Sequence, residues 1–537
     1  MVRKKGDILD RLTGGGWAAV SVVWGVAVFL FWWLLYPHAL SYHEQYQLFL
    51  WTSDYLAASL REPGGAAAWL GECITQFYYV GWLGALLLAL LFVAFQRLLA
   101  ALLGREWTML SLLPPLLLLM LMGDESVLLS YMMALLLTLI AFFAFRSFSS
   151  WHDIEYVPLV YWVAGPMAWL YVVLRVMDGG WRRLWTVPWL AVVMAAAYRW
   201  AVPEWQLYSL ITGKVYYRIP LMGNMLMWVI PVVIVVLAVL SRFSHRRWMW
   251  VVESVMTVVL AALVIPMGYD KEKYELIRQD AWVRQERWDD IIHRAEHFQV
   301  KTPFSAQCVN LALAKKRQLA DRMFDFWQSG PDALIMPRTR DLTSMLPSAE
   351  AFWHLGMVNS AQRYMFDTQE SILNAKKSAR CTQRIAECMI VNGHYQTAKK
   401  QLALLRHTLF YRQWAKEAEA CLGDEAKVNA HPVWGRMRRL RYKNDFLYSY
   451  EEIDKMFALL FNDNNDNKMA LDYAMAQLLL NGSVNVFAQQ LPVVQQLGGY
   501  HNMPLVYQDV VNCIRSGGGA EGSPYMKYVN RMREGQP

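Results

Sequence analysis

Three carboxylates stand in short polar segments between apolar runs in the first half of the chain: Glu44, Asp124 and Glu125. A carboxylate in such a position can accept a proton from a substrate or hold a divalent cation against a phosphate. Three basic residues stand in a later polar segment: Arg199, Lys214 and Arg218. Their side chains are suited to pairing with phosphate oxygens. The alternative is that all six are solvated loop residues, so we treat them as candidate catalytic and binding positions.

Metal-ligand patterns are the next possible source of chemistry, and none has the required spacing. The six cysteines include no CxxC pair, and no His–Cys cluster has zinc spacing. The run 463–467 (DNNDN) lacks the glycine and the distal glutamate of an EF-hand loop. We therefore predict no metal site and no cofactor. Cys381 and Cys388, two helical turns apart, are expected to be buried packing residues.

The elements that must position these residues are membrane spans. Hydrophobic residues make up 56% of the 537 residues and charged residues only 18%, and the apolar excess precedes Met267. About twenty apolar residues cross a hydrocarbon core of roughly 30 Å. The candidate runs cover 17–36, 77–103, 110–122, 127–145, 157–174, 184–201, 225–241 and 248–267. We predict a transmembrane domain over residues 1–268 with seven or eight spans.

The basic residues predict which way these spans run. The formal charge of +8 lies largely in short loops between apolar runs, as the positive-inside rule requires, so we predict no nucleic-acid partner. Eight simple crossings would place the arginine cluster 242–247 outside. The conflict is smallest if segment 157–176 enters the membrane and returns at Gly165-Pro166, although Arg199, Lys214 and Arg218 then remain outside.

This arrangement predicts a cytoplasmic N-terminus, an odd number of crossings and a periplasmic C-terminal half in a bacterial inner membrane. Residues 37–76, with apolar residues at roughly helical spacing, are expected to form an amphipathic segment at the outer face. Residues 516–537 are expected to be a flexible tail.

The polar half, residues 269–515, carries a recurring pattern of a helix, a small polar turn and a second helix. The turns lie at 285–288, 316–320, 356–359, 392–395 and 481–482. The first four are separated by about 30 to 40 residues, near the tetratricopeptide (TPR) period. This half resembles the TPR superfamily, most specifically at NGHYQTA from Asn392. The predicted fold class is therefore all-α, a polytopic transmembrane helical bundle followed by a TPR-like α-solenoid with a groove for a partner.

The whole chain also resembles an uncharacterised family of bacterial inner-membrane proteins with a multi-span first half and a TPR-like second half. The resemblance lies in YHEQYQLF with EPGGAAAWLGECITQFYY (from Tyr42), NGHYQTAKKQLALLRHTLFYRQWA (from Asn392) and LDYAMAQLLLNG (from Leu471). It covers most of the chain and implies an architecture without an activity.

Two functions of different classes fit this architecture. In the first, the TPR-like domain binds or scaffolds a protein or peptide partner at the surface of the bilayer. In the second, the chain is similar in layout to GT-C membrane glycosyltransferases, which use a lipid-linked sugar donor. That resemblance places Glu44 where the catalytic carboxylate would fall, and Asp124 and Glu125 where a second acidic site would fall. The usual acidic pair is replaced here by His43-Glu44.

Overall fold

A computed structural model describes residues 15–125, 127–212, 224–243, 249–337, 345–372, 376–444, 450–515 and 522–534. The predicted all-α class is confirmed, because 78% of the structure is helical and no strand occurs in the described residues. The chain divides into two compact units. The first is Met1–Tyr274 with the short segments Leu373–Lys376 and His407–Phe410; the second is Glu275–Ile372, Lys377–Arg406 and Tyr411–Pro537.

The first unit is a bundle of apolar helices with short helices between them. Its helices are α1 (Gly15–Leu30), α2 (Pro37–Glu44), α3 (Ser53–Leu60), α4 (Gly65–Thr75), α5 (Gly81–Leu103), α6 (Leu113–Leu121), α7 (Leu129–Phe145), α8 (Asp153–Ala164), α9 (Ala168–Gly179), α10 (Thr186–Ala196), α11 (Leu207–Thr212), α12 (Leu226–Leu240) and α13 (Met249–Gly268). Among the described residues, four stretches are long and apolar enough to cross a membrane: 18–35, 81–103, 150–183 and 249–268.

The third of these stretches folds back on itself. Helix α8 ends at Gly165, whose φ of 63° only glycine adopts readily, and α9 begins three residues later. Arg175 Nη2 lies 2.7 Å from Asp153 Oδ1, whereas a straight helix would separate two residues 22 apart by roughly 33 Å. The reversal that the sequence predicts at Gly165-Pro166 is therefore present.

Arginines collect at one end of the first unit, which we call the arginine end. Arg146 pairs with Asp178 at 3.3 Å, and Arg183 donates to the Phe148 carbonyl at 3.0 Å. Arg242, just after α12, donates to a carbonyl near the end of α9. The loop before α8, the loop after α9 and the end of α12 therefore lie at the same end of the bundle.

Aromatic side chains collect at the other end, the aromatic end. The Tyr269 ring contacts Phe31, Trp32 and Tyr36 at centroid distances between 4.6 and 5.9 Å. Its hydroxyl donates to the Leu119 carbonyl at 2.7 Å. The end of α6, the turn after α1 and the residue after α13 therefore meet here.

The longer helices alternate between these two ends. Helices α1, α6, α8, α10 and α13 run from the arginine end to the aromatic end, and α5, α7, α9 and α12 return. Helices α1 and α5 run in opposite directions, because the hydroxyl of Ser21, near the start of α1, donates to Gln96, near the end of α5, at 2.6 Å. Within the described residues, the bundle thus begins at the arginine end and finishes at the aromatic end.

Residues 37–79 form several short helices, whereas the sequence indicated one amphipathic segment, and several of their polar side chains are buried. His43, Glu44, Gln45 and Gln47 are all buried. Helix α4 packs closely on α7, since a Cβ at Gly71 would lie 2.7 Å from the backbone nitrogen of Ser130. Helix α4 is thus packed inside the first unit, whereas Trp51, Leu60 and Tyr79 of the same segment remain exposed.

The second unit consists of helical hairpins. Its helices are α14 (Lys271–Arg284), α15 (Trp288–His297), α16 (Pro303–Lys315), α17 (Leu319–Arg322), α18 (Met345–Leu355), α19 (Val358–Ser371), α20 (Ala379–Val391), α21 (Tyr395–Arg406), α22 (Arg412–Glu419), α23 (Glu425–Ala430), α24 (Trp434–Leu440), α25 (Ile453–Asp463), α26 (Lys468–Leu480), α27 (Val484–Leu497), α28 (Leu505–Arg515) and α29 (Pro524–Arg533).

All five predicted turns between helices have the same geometry. In each, one residue adopts a left-handed backbone: Glu286 (φ 54°), Arg317 (59°), Gly356 (90°), Gly393 (78°) and Gly482 (70°). The next residue then donates its N–H to the carbonyl five positions earlier, as His394 does to Met389 at 2.8 Å. This is the Schellman motif, which satisfies the last carbonyls of a helix and redirects the chain.

The second unit differs from an open solenoid, in which each repeat contacts only its neighbours. Arg317 pairs with Asp472, 155 residues further on, and Tyr528 donates to the Leu480 carbonyl at 2.8 Å. Within the described residues, helices near the end of the chain thus pack on helices near the start of this unit. Part of the predicted flexible tail is helix α29, with Tyr525 and Tyr528 buried.

Candidate functional site

A polar cleft lies where two Schellman turns of the second unit meet the end of α24. It is lined by Gly356, Met357, Val358, Asn359, Asn392, Arg441, Tyr442 and Asn444. Asn392 donates to Asn359 Oδ1 at 2.7 Å and accepts from Arg441 Nη1 at 2.9 Å. Amide and guanidinium groups of this kind hydrogen-bond carboxylates and peptide groups. We call this the turn cleft.

The local fold explains why these side chains converge. Asn392 is the C-cap of α20 and precedes the left-handed Gly393, so its side chain lies at the end of the hairpin. Gly356 cannot carry a side chain, because a Cβ there would lie 2.5 Å from the Leu440 carbonyl oxygen. This close approach brings the chain after α24, with Arg441, against the α18–α19 turn.

The cleft is set in a strongly basic stretch, residues 436–443 (RMRRLRYK), which contains five basic residues. Arg438 is held by contacts with Glu425 and by a 2.6 Å hydrogen bond to Tyr395. The pKa of Glu425 is lowered by its hydrogen bonds with Tyr395 and Arg438. Glu425 thus offsets the charge of Arg438, and the four other basic residues of the stretch leave an excess of positive charge that is suited to an acidic ligand.

A lysine near Arg436 has an unusual environment. Burial, followed by the charge of Arg436, lowers the pKa of Lys315 to about 8. Burial, with Lys315 next, also holds the pKa of His354 well below its usual range. The Lys315 ammonium lies 3.2 Å from His354 Nδ1, so the neutral imidazole accepts a hydrogen bond from the lysine.

The predicted carboxylates occupy different settings in the first unit. Glu44 is 3% exposed at the end of α2. Asp124 accepts from Asn224 Nδ2 at 3.2 Å, and Glu125 pairs with Lys273. Asp124 and Glu125 are therefore held by polar partners, and Glu44 is shielded from water.

Of the three basic residues predicted to pair with a phosphate, one lies in the part of the chain that the structure describes. Arg199 is exposed in the π-helical turn Ala197–Ala201. Lys214 and Arg218 lie outside the described residues. No group of three or more His, Cys, Asp or Glu residues that could hold a metal occurs in the part of the chain that the structure describes.

Sequence reasoning missed a buried polar cluster in the first unit. Glu72 of α4 accepts from the Tyr55 hydroxyl and pairs with Lys376 at 2.9 Å. Burial, followed by the charge of Glu72, raises the pKa of Tyr55 well above its usual value. A carboxylate inside the apolar run GGAAAWLGECIT was the available signal, because such a residue in an apolar helix indicates a specific role.

A second missed feature is a buried charge network in the second unit. Arg380 pairs with Asp280 at 2.7 Å and with Glu350 at 3.4 Å, and Arg384 pairs with Glu350 at 2.8 Å. Burial alone would raise the pKa of Glu350, but Arg384 and Arg380 hold it below its usual value. The network joins α14, α18 and α20 and fixes their relative positions.

Apolar stretches of membrane-spanning length define this chain as a helical protein with the features of a membrane protein. Residues 16–532 match the family of unknown function DUF6057, and the chain belongs to that family. No curated protein and no solved structure matches the chain.

Proposed function

We propose that this is an integral membrane protein whose second unit binds a protein or peptide partner at the membrane surface through the turn cleft. The observation that carries the proposal is the convergence of Arg441, Asn392 and Asn359 at two hairpin turns. Amide and guanidinium groups at one place on a surface can hydrogen-bond the carboxylates and peptide groups of a partner segment. The basic rim selects for a partner segment that carries carboxylates.

We further propose that the second unit is periplasmic and the arginine end of the first unit cytoplasmic. The positive-inside rule supports this orientation, since basic residues next to spans remain on the cytoplasmic side. The described bundle begins at the arginine end and finishes at the aromatic end, which favours the odd number of crossings expected from the sequence. A phosphatase fusion after Pro537 that is inactive, with a green fluorescent protein fusion that fluoresces, would contradict this orientation.

Site-specific photo-crosslinking in cells tests the partner proposal. A photoreactive residue replaces Asn444, which is exposed and lines the cleft, and a matched variant carries it at Glu417, an exposed position on α22. We expect one discrete crosslinked protein from position 444 and none from 417. The crosslink should disappear when Arg441→Glu is added and persist when Lys416→Glu is added.

Two results would refute this assignment. Equal crosslinking from positions 444 and 417 would indicate chance collisions. A crosslink at 444 that survives Arg441→Glu, in a protein that purifies as a single species, would show that the cationic cleft does not select the partner.

A glycosyltransferase of the GT-C kind remains the second candidate because Glu44 is buried, as are the adjacent His43 and Gln45. A carboxylate kept from water is a suitable general base. The test is release of sugar from polyprenyl-phosphate donors by the purified protein. Loss of activity in Glu44→Gln with retention in Glu62→Gln would support this function, and equal activity in both variants would exclude a catalytic Glu44.

A further inference from the structure

The arginine end of the first unit contains a buried cluster with excess positive charge. Asp153 is fully buried and accepts two hydrogen bonds from Arg175, at 3.0 and 2.7 Å. Arg183 lies beside it, with Nε 3.7 Å from Asp153 Oδ2. One aspartate therefore faces two arginines. The next carboxylate that acts on Arg183, Asp178, is paired with Arg146, so the group keeps an excess of one positive charge.

Polar atoms of the same triad lack hydrogen-bond partners among the described residues: Arg175 Nη1, Arg183 Nη1 and Asp153 Oδ2. Arg175 is 0% exposed and Arg183 9%. A buried donor without an acceptor costs about 1–3 kcal/mol, and more when it is charged. Two guanidinium groups without a full set of acceptors indicate a missing anion.

The surroundings point to the depth of lipid headgroups. Trp151 is 77% exposed and Trp181 78%, and both are close in sequence to the triad. Exposed tryptophans are typical of the membrane–water interface. In residues 146–183, together with Arg242, which contacts the end of α9, the arginines are Arg146, Arg175, Arg182, Arg183 and Arg242, against the acidic residues Asp153, Glu155 and Asp178. The region therefore carries net positive charge where phospholipid phosphates lie.

Gly179 shows that the position of Arg183 is built into the fold. A Cβ at Gly179 would lie 2.4 Å from Arg183 Nε, so the guanidinium packs directly across this glycine. Arg183 also donates to the Phe148 carbonyl, as Arg175 does at 3.3 Å. Both guanidinium groups are thus oriented from the same loop, with Arg183 the more exposed of the two.

We propose that Arg183, supported by Arg175, binds the phosphate of an anionic phospholipid at this end of the first unit. A guanidinium fork matches phosphate oxygens in geometry and charge. Basic sites between membrane helices bind anionic headgroups for the same reason. The inference requires only that the first unit lies in a bilayer and is independent of the turn cleft.

Native mass spectrometry of the full-length protein in detergent tests this proposal with three probes: phosphatidylglycerol, phosphatidylethanolamine and inorganic phosphate. We expect phosphatidylglycerol to bind about tenfold more tightly than phosphatidylethanolamine. Arg183→Gln should weaken that binding about tenfold, the loss of one charge-assisted hydrogen bond. Arg182→Gln removes the same charge from the exposed neighbouring residue and should change binding less than about twofold, because exposed charges are screened.

A second variant keeps the charge. Gly179→Ala should displace Arg183 and weaken phosphatidylglycerol binding several-fold, at about the level of one lost hydrogen bond, so the test does not depend on the stability of Arg183→Gln. Equal losses in Arg182→Gln and Arg183→Gln would show diffuse attraction and overturn the proposal. Equal affinity for both lipids, or inorganic phosphate that binds and displaces phosphatidylglycerol at similar concentration, would overturn it as well.

Discussion

Buried charge is treated differently in the two units. In the first, Asp153 faces both Arg175 and Arg183, and the other carboxylate that acts on Arg183, Asp178, is paired with Arg146. In the second, Asp280, Glu350 and Glu387 face Arg380 and Arg384. The second network therefore contains a carboxylate for each of its guanidinium groups.

A buried charge must be compensated, so the two arrangements suit different roles. The network in the second unit contains its own counter-charges and holds three helices together. The triad in the first unit has one more arginine than carboxylates, which fits the anion site that we propose there.

The largest expected effect comes from breaking the self-compensated network. Arg380→Met leaves Asp280 and Glu350 with less positive charge in a buried site, and removal of one partner from a buried pair costs roughly 3–5 kcal/mol. Urea unfolding of the full-length protein in detergent should show this loss in the transition of the second unit. Arg412→Met, at an exposed position, should stay within about 0.5 kcal/mol of the original protein. Equal shifts in the two variants would contradict a structural network.

The pH dependence of stability tests another buried carboxylate of the second unit, Asp472. Burial raises the pKa of Asp472 to about 6, against the opposing charge of Arg317. The unfolded carboxyl has a pKa of about 3.9, so its contribution favours folding most below that value and is lost as pH rises towards 6. The expected loss is about 2 kcal/mol between pH 4 and 7.

The control variants for this titration are Asp472→Asn, which should remove that part of the pH dependence, and Asp289→Asn. The Asp289 side chain is 80% exposed, so its substitution should leave the pH profile unchanged. A profile that is the same in all three proteins would show that Asp472 is ionised throughout this range.

The hairpin turns allow a comparison within the second unit. Gly356→Ala combines a left-handed backbone with a 2.5 Å approach to the Leu440 carbonyl, and we expect a loss of roughly 2–4 kcal/mol together with a distorted turn cleft. The Cβ added by Gly393→Ala would have no atom within 4 Å. This variant should therefore lose only about 1–2 kcal/mol of stability, the penalty for the left-handed conformation. Thermal unfolding of both variants measures the difference, and equal losses would mean that the close approach at Gly356 relaxes freely.

The smallest expected effect is an increase in the stability of the folded protein. Glu286 has a left-handed backbone (φ 54°), which costs roughly 1–2 kcal/mol in any residue with a Cβ. Glu286→Gly should raise stability by less than about 1 kcal/mol, since glycine loses more entropy on folding. A clear decrease in the unfolding temperature would indicate that the contact of Glu286 with His354, at 4.0 Å, outweighs the backbone strain.

The sequence by itself determined the local elements. Apolar runs predicted the helices of the first unit, Gly165-Pro166 predicted the reversal between α8 and α9, and the polar turns predicted five helix ends. These signals are local, because a turn depends on a few adjacent residues and an apolar run on its own length.

Only the tertiary structure decided which polar groups meet. Asp153 and Arg175 are brought together by the hairpin, Arg380 reaches Asp280 across 100 residues, and Arg441 reaches the Asn392 turn across 49. The sequence drew attention to Glu44, Asp124 and Glu125 because carboxylates stand out between apolar runs. It could not indicate the turn cleft or the arginine triad, since the energy of a buried charge depends on partners that are distant in the chain.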